Sequence, residues 1–281
     1  VVPVSLIKKT PEVKYCIAQS GARHLVMLDR FRKLDMPAML AEICPEFAHA
    51  DQPGSLFSPE LPDLRNVVQF QREGYPHAAA FDWSALEAVG AHDGNGWLAV
   101  SDAMAAEVTP RDLYMIKYTS GSTGFPKGVM LQQGGFLAVG LLHGARTGMK
   151  REDTYFSMMP FFHAGGSMYG MMSVLPIGGT LVFTEAFSVD LAIQLLQEEK
   201  ATIFISVLGK EAVMEAHERG ITFPHIRMAP LHNDVARDVM PNACFAFPPF
   251  GLAETYGPDR ITRAPGPAVY PATTPGFTPS V

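Results

Sequence analysis

Tyr118-Thr119-Ser120-Gly121-Ser122-Thr123-Gly124-Phe125-Pro126-Lys127-Gly128-Val129-Met130-Leu131 passes from a strand-like run into hydroxyls and glycines, then through a lysine into a second apolar run. Gly121, Gly124 and Gly128 let backbone N–H groups turn toward a ligand. The hydroxyls of Thr119, Ser120, Ser122 and Thr123 add donors, and Lys127 adds a point charge. An ordinary surface loop draws on the same residue types. Four hydroxyl residues, three glycines and a lysine between Thr119 and Gly128 exceed what turn chemistry needs, and the density suits a polyphosphate. The stretch is not a Walker A loop, because Lys127 follows Pro126 and precedes Gly128 where that loop needs Gly-Lys-Ser/Thr. Nor is it a dinucleotide fingerprint, and a P-loop kinase or ATPase is set aside with the Walker pattern.

Upstream, Leu113 to Tyr118 reads as the strand that delivers this loop at its carboxyl end, where α/β sheets bind ligands. Lys117 reads as the solvated side of that strand and receives no role. Val1-Val2-Pro3-Val4 reads as a strand. Thr10 is placed as a helix cap with Pro11 at the first helical position and Gly21 as the stop, before a strand from His24 to Leu28. Between Cys44 and Glu107 turn clusters alternate with a short strand around Val67-Val68 and a helix near Trp83 to Val89.

Downstream, a helix is expected from about Gly134 to Arg146 and a strand from Thr154 to Met158. Strand-like Thr180–Phe183, a helix capped by Ser188 with Val189, Ala192, Ile193 and Leu196 on one face, and strand-like Thr202–Ser206 continue the β-α-β rhythm. The fold class is therefore α/β, with layered sheets of largely parallel strands and flanking helices. His143, His217, His225 and His232 read as structural histidines. His163, between Phe162 and Ala164-Gly165-Gly166 just past a strand, is singled out.

The 281 residues carry a net charge of −6 with a pI near 5.8, which gives no basic footprint for nucleic acid. The cysteines, Cys16, Cys44 and Cys244, are too scattered for a zinc site or a disulfide framework, and a cytoplasmic location is expected. No apolar run reaches transmembrane length: Ser167–Phe183 is broken by Gly170, Pro176, Gly178 and Gly179. The start at Val1 and the strand-like opening suggest a truncated N-terminus.

Tyr118–Val129 resembles the phosphate-binding signature of the adenylate-forming superfamily of acyl-CoA synthetases, peptide-synthetase adenylation domains and luciferases. Met159-Pro160-Phe161-Phe162-His163-Ala164-Gly165-Gly166 and Phe250-Gly251-Leu252-Ala253-Glu254-Thr255-Tyr256-Gly257 resemble two further motifs of that family, in the right order. The resemblance implies an incomplete N-terminal domain of an AMP-forming acid–thiol ligase, with ATP, Mg²⁺ and CoA and a fatty or aryl carboxylic acid as substrate. It implies that Thr119, Ser120, Gly121, Ser122, Thr123, Gly124 and Lys127 bind phosphate, and that His163 borders the acyl pocket and thiol path. Phe250, Gly251 and Ala253 would line the nucleotide, and Glu254 would hold magnesium. Ala253 stands where the family has a threonine on the α-phosphate. Arg227-Met228-Ala229-Pro230-Leu231 replaces a glycine-rich segment along adenine, so side chains are expected to crowd that site.

Three regions are expected: 1–108, the remainder of a first α/β subdomain with a loop-rich connection; 109–263, the nucleotide-binding subdomain; and 264–281, a proline-rich disordered tail. No lysine follows Lys210 and no aspartate follows Asp259, so the family's later ribose aspartate and terminal lysine have no counterpart. The other reading from the same residues is a non-catalytic truncated remnant with weak nucleotide binding.

Overall fold

The computed structural model describes residues 1–72, 74–92, 94, 96–119, 126–204, 209–229, 234–245, 250–252, 257–262 and 273–275. The chain divides into two compact units, Val1–Thr109 with Tyr118–Gly128, and Pro110–Lys117 with Val129–Val281.

The first unit begins with α1 (Thr10–Ser20), β1 (His24–Leu28), β2 (Arg30–Phe31), β3 (Leu34–Asp35), α2 (Met36–Ile43) and α3 (Pro45–His49). It continues with β4 (Asn66–Phe70), β5 (Ala80–Asp82), α4 (Trp83–Ala91) and α5 (Trp97–Glu107). Strands β1, β4 and β5 form a parallel sheet in that order, with Val26 opposite Val68 and Val68 opposite Phe81. Its core joins Ile17, Leu40, Phe47, Leu61, Leu64 and Val67. Val1–Val4 enters no ladder; it lines an apolar cavity of about 730 Å³ beside β1, together with Val13, Ile17 and Met39. The start of α1 falls one residue earlier than expected. Lys9 is the N-cap, its N–H donates to Glu12 Oε2 at 3.1 Å, and Thr10 Oγ1 reaches across to Glu42 instead of capping. Gly21 ends the helix at φ 64°, a left-handed conformation that glycine adopts without strain.

The second unit opens with β6 (Leu113–Thr119) and β7 (Lys127–Gln132), whose tips at Tyr118–Thr119 and Lys127–Gly128 belong to the first unit. They pair in a separate two-stranded sheet. The seven residues that join them are too few for a parallel crossover, so β6 turns into a hairpin and does not enter a parallel sheet. Then follow α6 (Gln133–Arg146), β8 (Thr154–Ser157), a π-helix (Gly165–Met171), α7 (Met172–Val174), a 3₁₀ turn (Leu175–Ile177), β9 (Thr180–Phe183) and α8 (Val189–Glu198). β10 (Ile203–Phe204), α9 (Lys210–Glu218), β11 (Met228–Ala229), α10 (Asp234–Val239) and β12 (Cys244–Phe245) complete the α/β part. Strands β8 to β12 build a parallel sheet of order β12-β11-β10-β8-β9. Ser188 Oγ caps α8 through Leu191 N–H, and Ala192, Ile193 and Leu196 enter the core with Phe156, Phe204 and Val213. Finally β13 (Phe250–Leu252), β14 (Gly257–Thr262) and β15 (Thr273–Pro275) form an antiparallel sheet. β15 lies within 264–281, where disorder is expected; the other residues of that segment lie outside the described ones.

One polar network ties the amino ends of three parallel strands. Asp153, just before β8, accepts from Arg227 Nε and from Thr202 Oγ1, both at 2.8 Å, from Arg227 Nη2, and from the Lys150 N–H at 2.7 Å. Arg227 Nη2 also donates to the Gly148 carbonyl at 3.0 Å. Burial works to raise the Asp153 pKa, but the bonds from Arg227, Thr202 and the Lys150 amide outweigh it and hold the carboxyl below its usual range.

Candidate active site

Thr119 closes β6 and Lys127 opens β7, so these two phosphate-loop candidates bracket residues 120–126 at the connected end of the strand pair. Thr119 is half-buried and Lys127 is exposed. Ser120, Gly121, Ser122, Thr123 and Gly124 lie outside the described residues, as do Ala253 and Glu254. Phe250 and Gly251 lie in β13, opposite Arg260 and Pro258 of β14.

His163 follows β8 in a turn built on backbone hydrogen bonds. Its N–H donates to the Pro160 carbonyl at 2.9 Å, and its own carbonyl accepts from Gly166 N–H and Ser167 N–H at 3.1 Å each. The Gly165 N–H donates to His163 Nδ1 at 3.1 Å, which leaves Nδ1 as an acceptor and the ring proton on Nε2. Burial, and then the charge of Lys117, lower the His163 pKa. The turn depends on glycine. A Cβ on Gly166 would overlap the backbone carbonyl oxygens of Met159 and Pro160, which no rotamer can relieve. Gly166→Ala is therefore expected to cost about 2 kcal/mol through overpacking. Loss of hydrogen-exchange protection confined to peptides over 159–171 would verify this; unchanged protection would contradict it.

Lys117 overturns its sequence reading. It is 4% exposed, on the β6 face that also carries Met115, and its Nζ donates to Ser167 Oγ at 2.8 Å. Burial alone lowers its pKa to about 8. The signal was present. Tyr114, Ile116 and Tyr118 make the other face of β6 apolar too, so the strand offers a lysine no fully solvated side. Ser167, the first partner of Lys117, carried no sequence signal. His143 is buried as expected of a structural histidine; its Nδ1 has no hydrogen-bond partner among the described residues, its ring meets Tyr169 edge-on at 4.8 Å, and burial lowers its pKa to about 4.

Arg227 lies away from the carboxyl ends of the parallel strands. It sits at the amino end of β11, bonded to Asp153, while Met228 and Ala229 are fully buried in the sheet. The neighbouring Pro230 and Leu231 lie outside the described residues.

Two paired strands that flank a hydroxyl- and glycine-rich run of sequence, and a histidine turn after the first strand of a parallel sheet, agree with a match to the AMP-binding enzyme family over residues 1–275. The chain belongs to that family, which is adenylate-forming. It is 29% identical over 245 residues to a Mycobacterium tuberculosis ligase, the 3-[(3aS,4S,7aS)-7a-methyl-1,5-dioxo-octahydro-1H-inden-4-yl]propanoyl:CoA ligase, with 82% of this chain and 46% of that protein covered. It is 28% identical over 207 residues to the mouse mitochondrial medium-chain acyl-CoA ligase ACSF2, with 72% of this chain and 33% of that protein covered. The fold matches the crystal structure of the N-terminal domain of FACL13 from Mycobacterium tuberculosis with a TM-score of 0.64 at 15% identity, covering 94% of this chain and 59% of the other. The chain thus spans less than half the length of these two ligases. Among the described residues no helix is long and apolar enough to cross a membrane, and no group of three or more His, Cys, Asp or Glu could hold a metal ion.

Proposed function

We propose that the protein activates a carboxylic acid with ATP, releasing pyrophosphate and forming an acyl-adenylate from which the thiol of CoA displaces AMP. The observation that carries this reading is the run Thr119–Lys127, set between two paired strands in a chain matched to the AMP-binding family over nearly its whole length. A carboxylate is a poor electrophile because attack must break its resonance, and adenylation supplies a good leaving group. Donors fixed around the phosphates lower the barrier by meeting charge as it develops. Thr119, Ser120, Gly121, Ser122, Thr123, Gly124 and Lys127 take the pyrophosphate end in this proposal, Phe250 and Gly251 the adenine, and His163 the acyl and thiol side. Glu254 offers the hard oxygen that Mg²⁺ prefers, and the ion would neutralise phosphate charge when bound. The resemblance, with medium-chain and polycyclic acids in the names of two relatives, favours a fatty or aryl acid.

Ala253 favours a second reading, a nucleotide-binding remnant without turnover, because a phosphate hydroxyl is missing there. One assay separates the two. The chain is incubated with Mg-ATP, a panel of fatty and aryl acids and CoA, and both pyrophosphate exchange and CoA ester are followed. Lys127→Ala is expected to weaken ATP binding about 10- to 100-fold, the equivalent of one charge-assisted hydrogen bond. Exchange that is robust and insensitive to Lys127→Ala would refute the assignment of the loop. ATP binding that depends on Lys127 without exchange would establish the remnant reading.

A further inference from the structure

The buried lysine of β6 belongs to none of the roles above, and its surroundings connect it to His163. Lys117 Nζ donates to Ser167 Oγ at 2.8 Å, and Ser167 Oγ donates at 3.0 Å to the carbonyl of His163. The same carbonyl closes the turn by accepting from the amides of Gly166 and Ser167, and the Gly165 amide fills His163 Nδ1. Lysine, serine and histidine thus form one chain of contacts within the second unit, running from the buried Lys117 to the backbone carbonyl of His163, whose ring is held separately by the Gly165 amide.

An ammonium has three donors, and a site nearly sealed from water, with a serine hydroxyl as its partner here, is an expensive place for one. The strand neighbour of Lys117 on the same face, Met115, is part of an apolar cluster, and a methionine at position 117 would conserve the volume without the charge. Among the described residues no acidic side chain pairs with Lys117, and burial alone accounts for its weakened hold on a proton. The charge is therefore not spent on an ion pair. What it does reach is the imidazole, where it disfavours a second positive charge. The other titratable rings on the helices here are His143 of α6 and Tyr169 of the π-helix, which face each other. β14, which also lies against the π-helix, carries Asp259 and Arg260 in its sequence.

We propose that Lys117 and Ser167 are positioning residues that hold His163 as a neutral imidazole with its proton on Nε2, a hydrogen-bond donor for the acyl group or incoming thiol. This deepens the ligase reading and rests on it for the identity of the acceptor. The arrangement itself is open to test without turnover.

The test is ¹⁵N NMR of the histidine rings in the full chain, with the His163 signals assigned by their loss in His163→Gln. The expected wild-type result is a neutral Nε2–H ring at pH 7 that titrates below the ordinary histidine range. Lys117→Gln keeps a donor for Ser167 but removes the charge, so the tautomer should persist while the titration moves up. Ser167→Ala keeps the charge and breaks the link, so the ring should become a mixture of tautomers. A wild-type ring protonated on Nδ1 would overturn the proposal, and so would a His163 titration and tautomer unchanged in both variants. In the exchange assay, Lys117→Gln and Ser167→Ala should lower kcat about tenfold and leave the KM for ATP unchanged. Absence of exchange in the wild type would defeat the ligase reading, while the NMR result would still decide the positioning role.

Discussion

Asp153→Ala should destabilise the second unit by about 3 kcal/mol, because it leaves the Arg227 guanidinium facing carbonyls without its counter-charge and strips Thr202 and the Lys150 amide of an acceptor. The side chain of Asp153 is 7% exposed and that of Arg227 33%, which places the cost at the low end for a buried pair. Both tryptophans, Trp83 and Trp97, belong to the first unit, so fluorescence would follow the wrong half of the molecule. Hydrogen exchange at Thr154, Ile203 and Met228 is the suitable measurement, and a loss below about 1 kcal/mol would contradict the network's role. The sign with pH is fixed. A carboxyl whose folded pKa is depressed contributes stability above its unfolded value near 4, and loses it as pH falls through the folded value. The wild type should therefore lose protection on acidification more steeply than Asp153→Ala.

Lys117→Met is expected to act in the opposite direction and raise stability by about 3 kcal/mol at pH 7. The unfolded chain keeps the lysine proton to about pH 10.4, whereas the folded chain releases it at about 8. The penalty for a buried ammonium is present in full below pH 8 and fades as pH rises toward 10.4, since the unfolded chain binds more protons in that window. The advantage of methionine should accordingly shrink between pH 8 and 10.4. Exchange at the amides of β6 and α6, compared at pH 7 and at pH 10 after correction for intrinsic rates, measures the difference. A variant less stable than the wild type at pH 7 would show that the amine contributes more through Ser167 than its desolvation costs. A gain in stability together with the expected fall in kcat would mark Lys117 as a residue kept at the expense of the fold.

One part of the second unit's α/β layer was legible because its signals are local. Ser188 announces α8, and Val189, Ala192, Ile193 and Leu196 recur at helical spacing, so β9-α8-β10 could be placed from the sequence. The Asp153–Thr202–Arg227 network was not legible, since its members lie 49 and 74 positions from Asp153 and each reads as surface alone. α5 was missed for a different reason. None of its residues is buried, so Trp97–Glu107 carries no apolar period to detect. At the candidate site, the motifs identified the family. The burial of Lys117 and its link through Ser167 to His163 depend on how β6 packs against the π-helix, which no short-range pattern encodes.

The strand order of the second unit bears on how the chain is made. β8 and β9 pair first in sequence, β10 then joins the free side of β8, β11 joins β10, and β12 joins β11. Every strand after the first pair therefore docks on an edge already in place, and none must insert between two neighbours. As the chain leaves the ribosome from its amino end, each new strand would find a growing template, and the connections between strands supply helices that pack against it. Nascent chains halted after β10 should already protect β8 and β9 from proteolysis.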